Sequence, residues 1–295
     1  MISFADAIEQ YLLAQDASLV TDYELFLTAW HLFESRSFND TKIRRLPADW
    51  DVVRTRGMIR KLANRASLLP EKDFKSGVWR LVKSSRKIDA AETACIADPF
   101  CYVSHLSAMQ RHGLTNQTSQ VLHLSRPART LWNRLRDTKV AQEAPPRCAE
   151  ELATIFVHPN LADALRRKPV EVHETKYPAK MTSIQRERTR LSDLGATFID
   201  MLEAPHLCGG MAHVLDVWEA RAREWINPII EAADVAPAGI VKVRAGYVLS
   251  ERMGISDPRI EAWRAFAQRG GSRKLDPSVE YRPAFSETWM ISLNV

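Results

Sequence analysis

Residues 49–83 read DWDVVRTRGMIRKLANRASLLPEKDFKSGVWRLVK. The first half has a helical pattern over about 50–66. At about 100° per residue, Val52, Ile59, Leu62, Ala63 and Ala66 form one apolar stripe. Arg54, Arg60, Lys61, Asn64 and Arg65 fall on the opposite arc, together with Gly57, whose missing side chain would let the helix come close to a partner. The second half has the pattern of a hairpin. Residues 67–70 and 78–83 can pair as strands across EKDFKSG, a loop with a glycine near its end. A basic helix followed by a two-stranded ribbon with lysines at its tip is the working edge of a winged helix-turn-helix. The stretch therefore predicts contact with double-stranded DNA.

The charge distribution fits this. The chain of 295 residues has a net charge of only +5. Residues 1–40, however, hold one base against seven acids, while residues 41–88 hold fourteen bases against four acids. Positive charge concentrated on one helix and ribbon is the footprint of a phosphate-backbone binder. Hydrophobic content of 45% and charged content of 26% suit a globular protein long enough for two domains. No apolar run approaches the roughly 18 residues of a membrane span, and the start, MISFADAIEQYLLAQD, lacks the early basic cluster of a signal peptide. Cys95, Cys101, Cys148 and Cys208 are scattered without a CxxC pair, as in reduced thiols of a cytoplasmic protein.

Upstream of the opening stretch, residues 3–15 predict a first helix. Thr21 and Glu24 form a capping box for a second helix running to about Ser37. FNDTKIRRLPA (38–48) reads as a basic connector. Three helices and a hairpin complete a small domain whose core takes Trp30, Trp50 and Trp79. A polar joint at 83–87 sets the boundary, giving domains 1–87 and 88–295. Beyond it the expected elements are a helix at 89–97, a strand at 101–103, a helix at 104–112 and a strand at 120–124. There follow a helix at 128–140, a loop through QEAPPRCAEE, strands at 153–157 and 170–175 around a short helix near 161–167, and an extended-then-helical segment at 190–203. Helices near 211–225, 227–234, 240–253 and 258–268 and a closing strand at 285–293 complete an α+β, mostly helical chain.

Three passages carry a family resemblance. YVSHLSAMQRHGLT (102–115) is similar to the YVSxxSALxxHGLT signature of AbiEi-type antitoxins. Thr197, Asp200, Pro205, Gly209 and Gly210 take the places of that family's TLxDxLxxPxxxGG, with Phe198 where a leucine is usual. RAGYVLSERMG (244–254) resembles its RxGYLLExLG helix. The insert at 127–169 is longer and more basic than the family pattern. The resemblance implies the antitoxin of a type IV toxin–antitoxin phage-defence system: an N-terminal winged helix that binds inverted repeats in its own promoter, and an α/β C-terminal antitoxin domain. It also implies a partner, a nucleotidyltransferase toxin encoded next door, countered with or without a stable complex, and a chain that is monomeric in solution or dimeric on DNA.

The DNA-contacting set expected from the residues is Lys42, Arg44 and Arg45 on the flanking backbone, Arg54, Arg60, Lys61, Asn64 and Arg65 on the groove side, and Lys72 and Lys75 at the wing tip. Arginine holds guanine O6 and N7 together, and asparagine does the same with adenine N6 and N7. In the C-terminal part, Arg126, Arg129, Arg134 and Arg136 offer a DNA platform, and the helix near 211–225 with Trp218 a protein-binding or dimerising face. The alternative class is a winged-helix repressor unrelated to toxin systems. An enzyme is not expected. Glu174-Thr-Lys176 with Asp163 resembles the acid–acid–lysine set of metal-dependent nucleases, but Asp163 reads as helical and an E-x-K triplet is common. Eight histidines show no HExxH or paired-ligand spacing, His105 and His112 are expected to pack as a pair, and Ser104 and Cys101 have no base to activate them. No cofactor, metal or phosphate loop is expected, and Gly209-Gly210 and Gly270-Gly271 read as turns.

Overall fold

The computed structural model describes residues 1–268 and 273–295, so the expected Gly270-Gly271 turn lies outside the described residues. The chain is a mixed α+β protein, richer in helix than in strand. It divides into two compact units. One comprises residues 1–101 and 126–170, the other residues 102–125 and 171–295.

In the first unit, local signals fix three helices. Ser3 caps Phe4–Ala14 by accepting the Asp6 amide at 3.2 Å. Thr21 and Glu24 form the expected capping box at the start of Asp22–Ser35, which ends where Arg36 turns left-handed. Asp51 caps Val52–Asn64, accepting the Arg54 amide at 2.7 Å. Strands Leu19–Thr21, Val78–Leu81 and Leu68–Pro70 form an antiparallel sheet with Val78–Leu81 in the middle. Trp50 is buried edge-on to Phe4 at 4.8 Å, while Trp30 and Trp79 are half-buried, Trp79 donating its indole N–H to Asp22 at 2.6 Å.

Several connections differ from the sequence expectation. The 38–48 connector contains a hairpin: Ser37–Phe38 pairs with Thr41–Arg44, which also lies parallel to Ile2–Ser3. Asn39 and Asp40, both at positive φ, make its two-residue turn, the geometry that favours asparagine and aspartate. Residues 153–157 hold a turn at 153–155 and no strand, and the stretch around QEAPPRCAEE holds short helices at Pro146–Cys148 and Ala149–Leu152. The expected helix near 161–167 is instead a hairpin, Ala164–Leu165 against the start of Lys168–Thr175, with Arg166 and Arg167 left-handed at its turn. The unit containing the N-terminal helices thus extends beyond Lys87. Trp132, Val140, Leu152 and Phe156 share its apolar core with Phe26, Leu32 and Leu62, and Phe156 stacks on Tyr23 at 4.2 Å.

The second unit packs around Trp218, Phe198 and Trp289. Asp193 caps Leu194–Glu203, which lies close against Ile226–Val235. A side chain at Gly195 would put a carbon 2.2 Å from the Pro228 carbonyl oxygen. Gly246 is likewise overlain by the Trp289 ring, 2.2 Å from where a Cβ would stand. Arg244 is buried and spends its guanidinium on the carbonyls of Leu202 (2.8 Å) and Lys274 (3.0 Å). Tyr102–Val103 lies antiparallel to Leu122–Pro127 and parallel to Arg190–Ser192, and the strand Lys168–Thr175 lies beside Leu122–Pro127 on its other edge. The expected closing strand is a hairpin, Phe285–Ser286 with Ile291–Ser292.

Candidate functional site

The Val52–Asn64 helix buries Val52, Thr55, Ile59 and Leu62. Ala63 is half-buried and Ala66 is exposed, past the helix end. The opposite face exposes Val53, Arg54, Arg60, Lys61 and Asn64. Gly57 lies among them, and a Cβ there would meet nothing within 4 Å. Arg54 is turned back on its own capping residue, Asp51. Lys42, Arg44 and Arg45 are exposed on and after the Thr41–Arg44 strand, and Lys72 and Lys75 are exposed in the hairpin loop. That loop is held from below, because Arg166 reaches the buried Glu71 carboxylate at 3.0 Å and donates its backbone N–H to Asp73 at 3.0 Å.

Arg65 departs from the expected set. Its guanidinium lies 2.8 Å from Asp6, 2.8 Å from Glu9 and 2.9 Å from the Ser67 hydroxyl. It ties the end of the basic helix to the first helix and is committed there. Burial would raise the Glu9 pKa, but bonds from Ser67, Lys83 and Arg65 outweigh it and hold that carboxyl below its ordinary value. Arg126, offered as part of a platform, is also turned inward, donating to the Pro159 carbonyl at 2.9 Å, whereas Arg129 and Arg134 are exposed.

The second unit holds a cluster the sequence did not suggest. Glu171 and His173 stand two apart on one strand, hence on one face, and the neighbouring strand supplies His123. His173 Nε2 is 3.5 Å from His123 Nδ1 and 3.8 Å from Glu171 Oε1, and His123 Nδ1 is 3.6 Å from Glu171 Oε2. His105 packs edge-on against His173, with ring centroids 4.8 Å apart. Burial, with the charges of His173, His123 and His206 nearby, pushes the His105 pKa down to about 3, and burial lowers that of His173 too. His105 also opens its helix at φ +51°, a conformation uncommon for a residue with a side chain. The expected His105–His112 pair does not form. His105 Nδ1 meets Ser104 Oγ at 2.8 Å, and His112 meets the Ser192 carbonyl at 2.8 Å. The missed signal was E-x-H on a strand, which puts both side chains on one side just as an i,i+4 pair does on a helix. Of the nuclease-like set, Asp163 lies on a bend before a strand, and it is Glu171, not Glu174, that shares a face with His173.

A cavity of about 530 Å³ lies against the helices Leu194–Glu203 and Ile226–Val235, with Ile199, Trp225 and Ala232 in its walls. Asp200 and Glu203 line it. Burial, with Glu203 close by, raises the Asp200 pKa to about 7, although Asp200 accepts bonds from the His105 backbone and from Ser192. Thr197, beside it in the motif, is buried and donates to the Asp193 carbonyl at 2.8 Å.

No family model matches the chain. No curated protein matches it. Among solved structures, it is similar to the crystal structure of the RV2827C protein from Mycobacterium tuberculosis, with a TM-score of 0.48 and 13% identity over 98% of this chain and 90% of that one. Among the described residues no helix is long and apolar enough to cross a membrane.

Proposed function

We propose that the chain binds double-stranded DNA through a winged helix-turn-helix in its first unit, and acts as the self-repressing antitoxin of a type IV toxin–antitoxin pair. The observation that carries the DNA step is the exposed face Arg60–Lys61–Asn64 on a helix whose opposite face is buried. Further support comes from the order of elements, in which this helix is followed by an antiparallel hairpin with exposed Lys72 and Lys75 in its loop. In this mechanism Lys61 and Arg60 approach base edges or phosphates along the groove, Asn64 offers a bidentate contact to adenine, and Gly57 lets the helix backbone settle close to the duplex. Lys72 and Lys75 lie over phosphates of the wing side, and Lys42, Arg44 and Arg45 over the flanking backbone. Arg65 sets the helix in place and makes no base contact.

The antitoxin role rests on the three motif resemblances, and the implied partner is a nucleotidyltransferase toxin. Two experiments test the two halves separately. A gel shift with the DNA upstream of the chain's own reading frame should show a specific complex that is lost in Lys61→Glu; an equal shift with unrelated DNA of the same length removes sequence-specific repression. Co-expression with the product of the adjacent reading frame should relieve its toxicity; a neighbour that is neither toxic nor a nucleotidyltransferase leaves the repressor without its antitoxin role.

A further inference from the structure

We propose that His123, Glu171 and His173 form a binding site for a divalent transition-metal ion of tetrahedral preference, Zn²⁺ first among them, with the fourth position open to solvent. The proposal stands apart from the DNA reading, since all three residues belong to the second unit. Geometry carries it. His173 Nε2 is 3.5 Å from His123 Nδ1, and the Glu171 carboxylate sets Oε2 3.6 Å from His123 Nδ1 and Oε1 3.8 Å from His173 Nε2, so that one ligand atom from each residue lies within 4.8 Å of the other two. Two ligands of a tetrahedral zinc at about 2.0–2.1 Å stand about 3.3–3.4 Å apart, so the two histidine nitrogens are already near that spacing and the remaining closure falls on the Glu171 carboxylate. One lone-pair donor from each of the three residues lies within 4.8 Å of the other two, as ligands of one ion do.

The chemistry of the set agrees. Two imidazoles and one carboxylate are the three protein ligands of a familiar class of zinc centre that keeps its fourth position for water or an anionic group. The side chains of His123, His173 and Glu171 are 10%, 23% and 51% exposed, so the open position faces outward on the Glu171 side.

The surroundings are built to hold the ligands still. The His123 backbone is pinned on both sides, its N–H donating to Ser107 Oγ at 3.0 Å and its carbonyl accepting the Ser104 amide at 3.1 Å. The His105 ring braces His173 and is itself held by Ser104. His105 adopts a left-handed backbone to do so, and such conformations gather where a site requires them. His105 is thus a positioning residue and not a ligand.

The test uses the full chain stripped with a chelator and titrated with Co²⁺, whose visible absorption reports tetrahedral geometry, followed by Zn²⁺ in competition. Glu171→Gln and His173→Asn are run in parallel, because both side chains are partly exposed and the fold should survive, as circular dichroism will check. One equivalent of Co²⁺ should give the intense tetrahedral spectrum, and one equivalent of Zn²⁺ should abolish it. Each variant should weaken binding by at least the roughly 10–100-fold that even outer-shell changes cost. Without metal, the melting temperatures should match that of the parent chain. A weak octahedral spectrum, no saturable binding, or equal binding by folded variants would overturn the assignment.

Discussion

The Arg65 guanidinium lies 2.8 Å from the Glu9 carboxylate, which is itself almost fully buried. This pair joins the end of the basic helix to the first helix and separates two kinds of cation on one short segment. Arg65 stabilises the unit, while Arg60 and Lys61 point outward. We predict that Arg65→Ala lowers stability by about 1.5–3 kcal/mol, the usual value of bonds to a charged group, whereas Lys61→Glu changes it by less than about 0.5 kcal/mol. The sign with pH follows from Glu9, whose pKa is lowered on folding. Its contribution is complete above the unfolded carboxylate range and is lost as the solution is acidified. Urea melts of the parent and Arg65→Ala should therefore converge at low pH. Equal stability of the two at neutral pH would show that the Arg65 contacts add no net stability.

Gly57 gives a sharper separation of folding from binding. A Cβ there meets nothing within the chain, and alanine is favoured over glycine within a helix by about 1 kcal/mol. Gly57→Ala should raise the melting temperature and, because the helix must come close to the duplex, weaken DNA binding. A variant that is stabilised and binds equally well would show that the helix keeps its distance from the duplex.

How much of this was legible in the sequence depends on how local each cause is. The Thr21–Glu24 box and the helix starting after Asp51 are set by residues within one turn of each other, and the hairpin by residues a short loop apart, so their patterns sufficed. The Asn39-Asp40 hairpin is also local, but the basic residues around its turn give the segment the composition of a connector. The hairpin at 164–168 is hidden for a different reason, since Arg166 and Arg167 are poor candidates for left-handed turns, and the turn is held by contacts of Arg166 to Glu71, Asp73 and Thr93. The histidine cluster needed knowledge of which strands are neighbours, because His123 and His173 are fifty residues apart. Arg65 could not be distinguished from Lys61 by helical spacing alone; only the tertiary position of Glu9 does that.

Asp200 makes the second unit sensitive to pH. Its carboxyl has a pKa near 7 in the fold against 3.8 as a free side chain. The folded state therefore holds the proton more tightly, and stability falls as pH rises from about 4 through 7, by about 1.4 kcal/mol for each tenfold difference in proton affinity. Asp200→Asn removes this dependence. The melting temperature of the variant minus that of the parent should climb between pH 4 and 7 and level off above. A difference independent of pH would mean that the carboxyl is ionised throughout.

The first unit should not survive truncation at Lys87. Trp132 is fully buried, donates its indole N–H to the buried Asp98 at 2.9 Å, and packs edge-on against Phe156 at 5.5 Å. Removing this cluster strips one side of the core that Phe26 and Leu32 share. A fragment of residues 1–87 should unfold without a cooperative transition, and Trp132→Ala in the full chain should cost about 3–5 kcal/mol. A fragment with a sharp melting transition would show that the helices and hairpin stand alone.

DNA binding by this chain stands or falls on whether the Arg60–Lys61–Asn64 face meets a duplex. The most direct measurement is the salt dependence of binding to the chain's own upstream DNA, by fluorescence anisotropy, for the parent and for Lys61→Ala. The prediction is a steep linear fall of log affinity with log salt, with a slope made shallower by about one when the lysine is removed. Identical affinity and slope for the two proteins, or no dependence on salt, would contradict it.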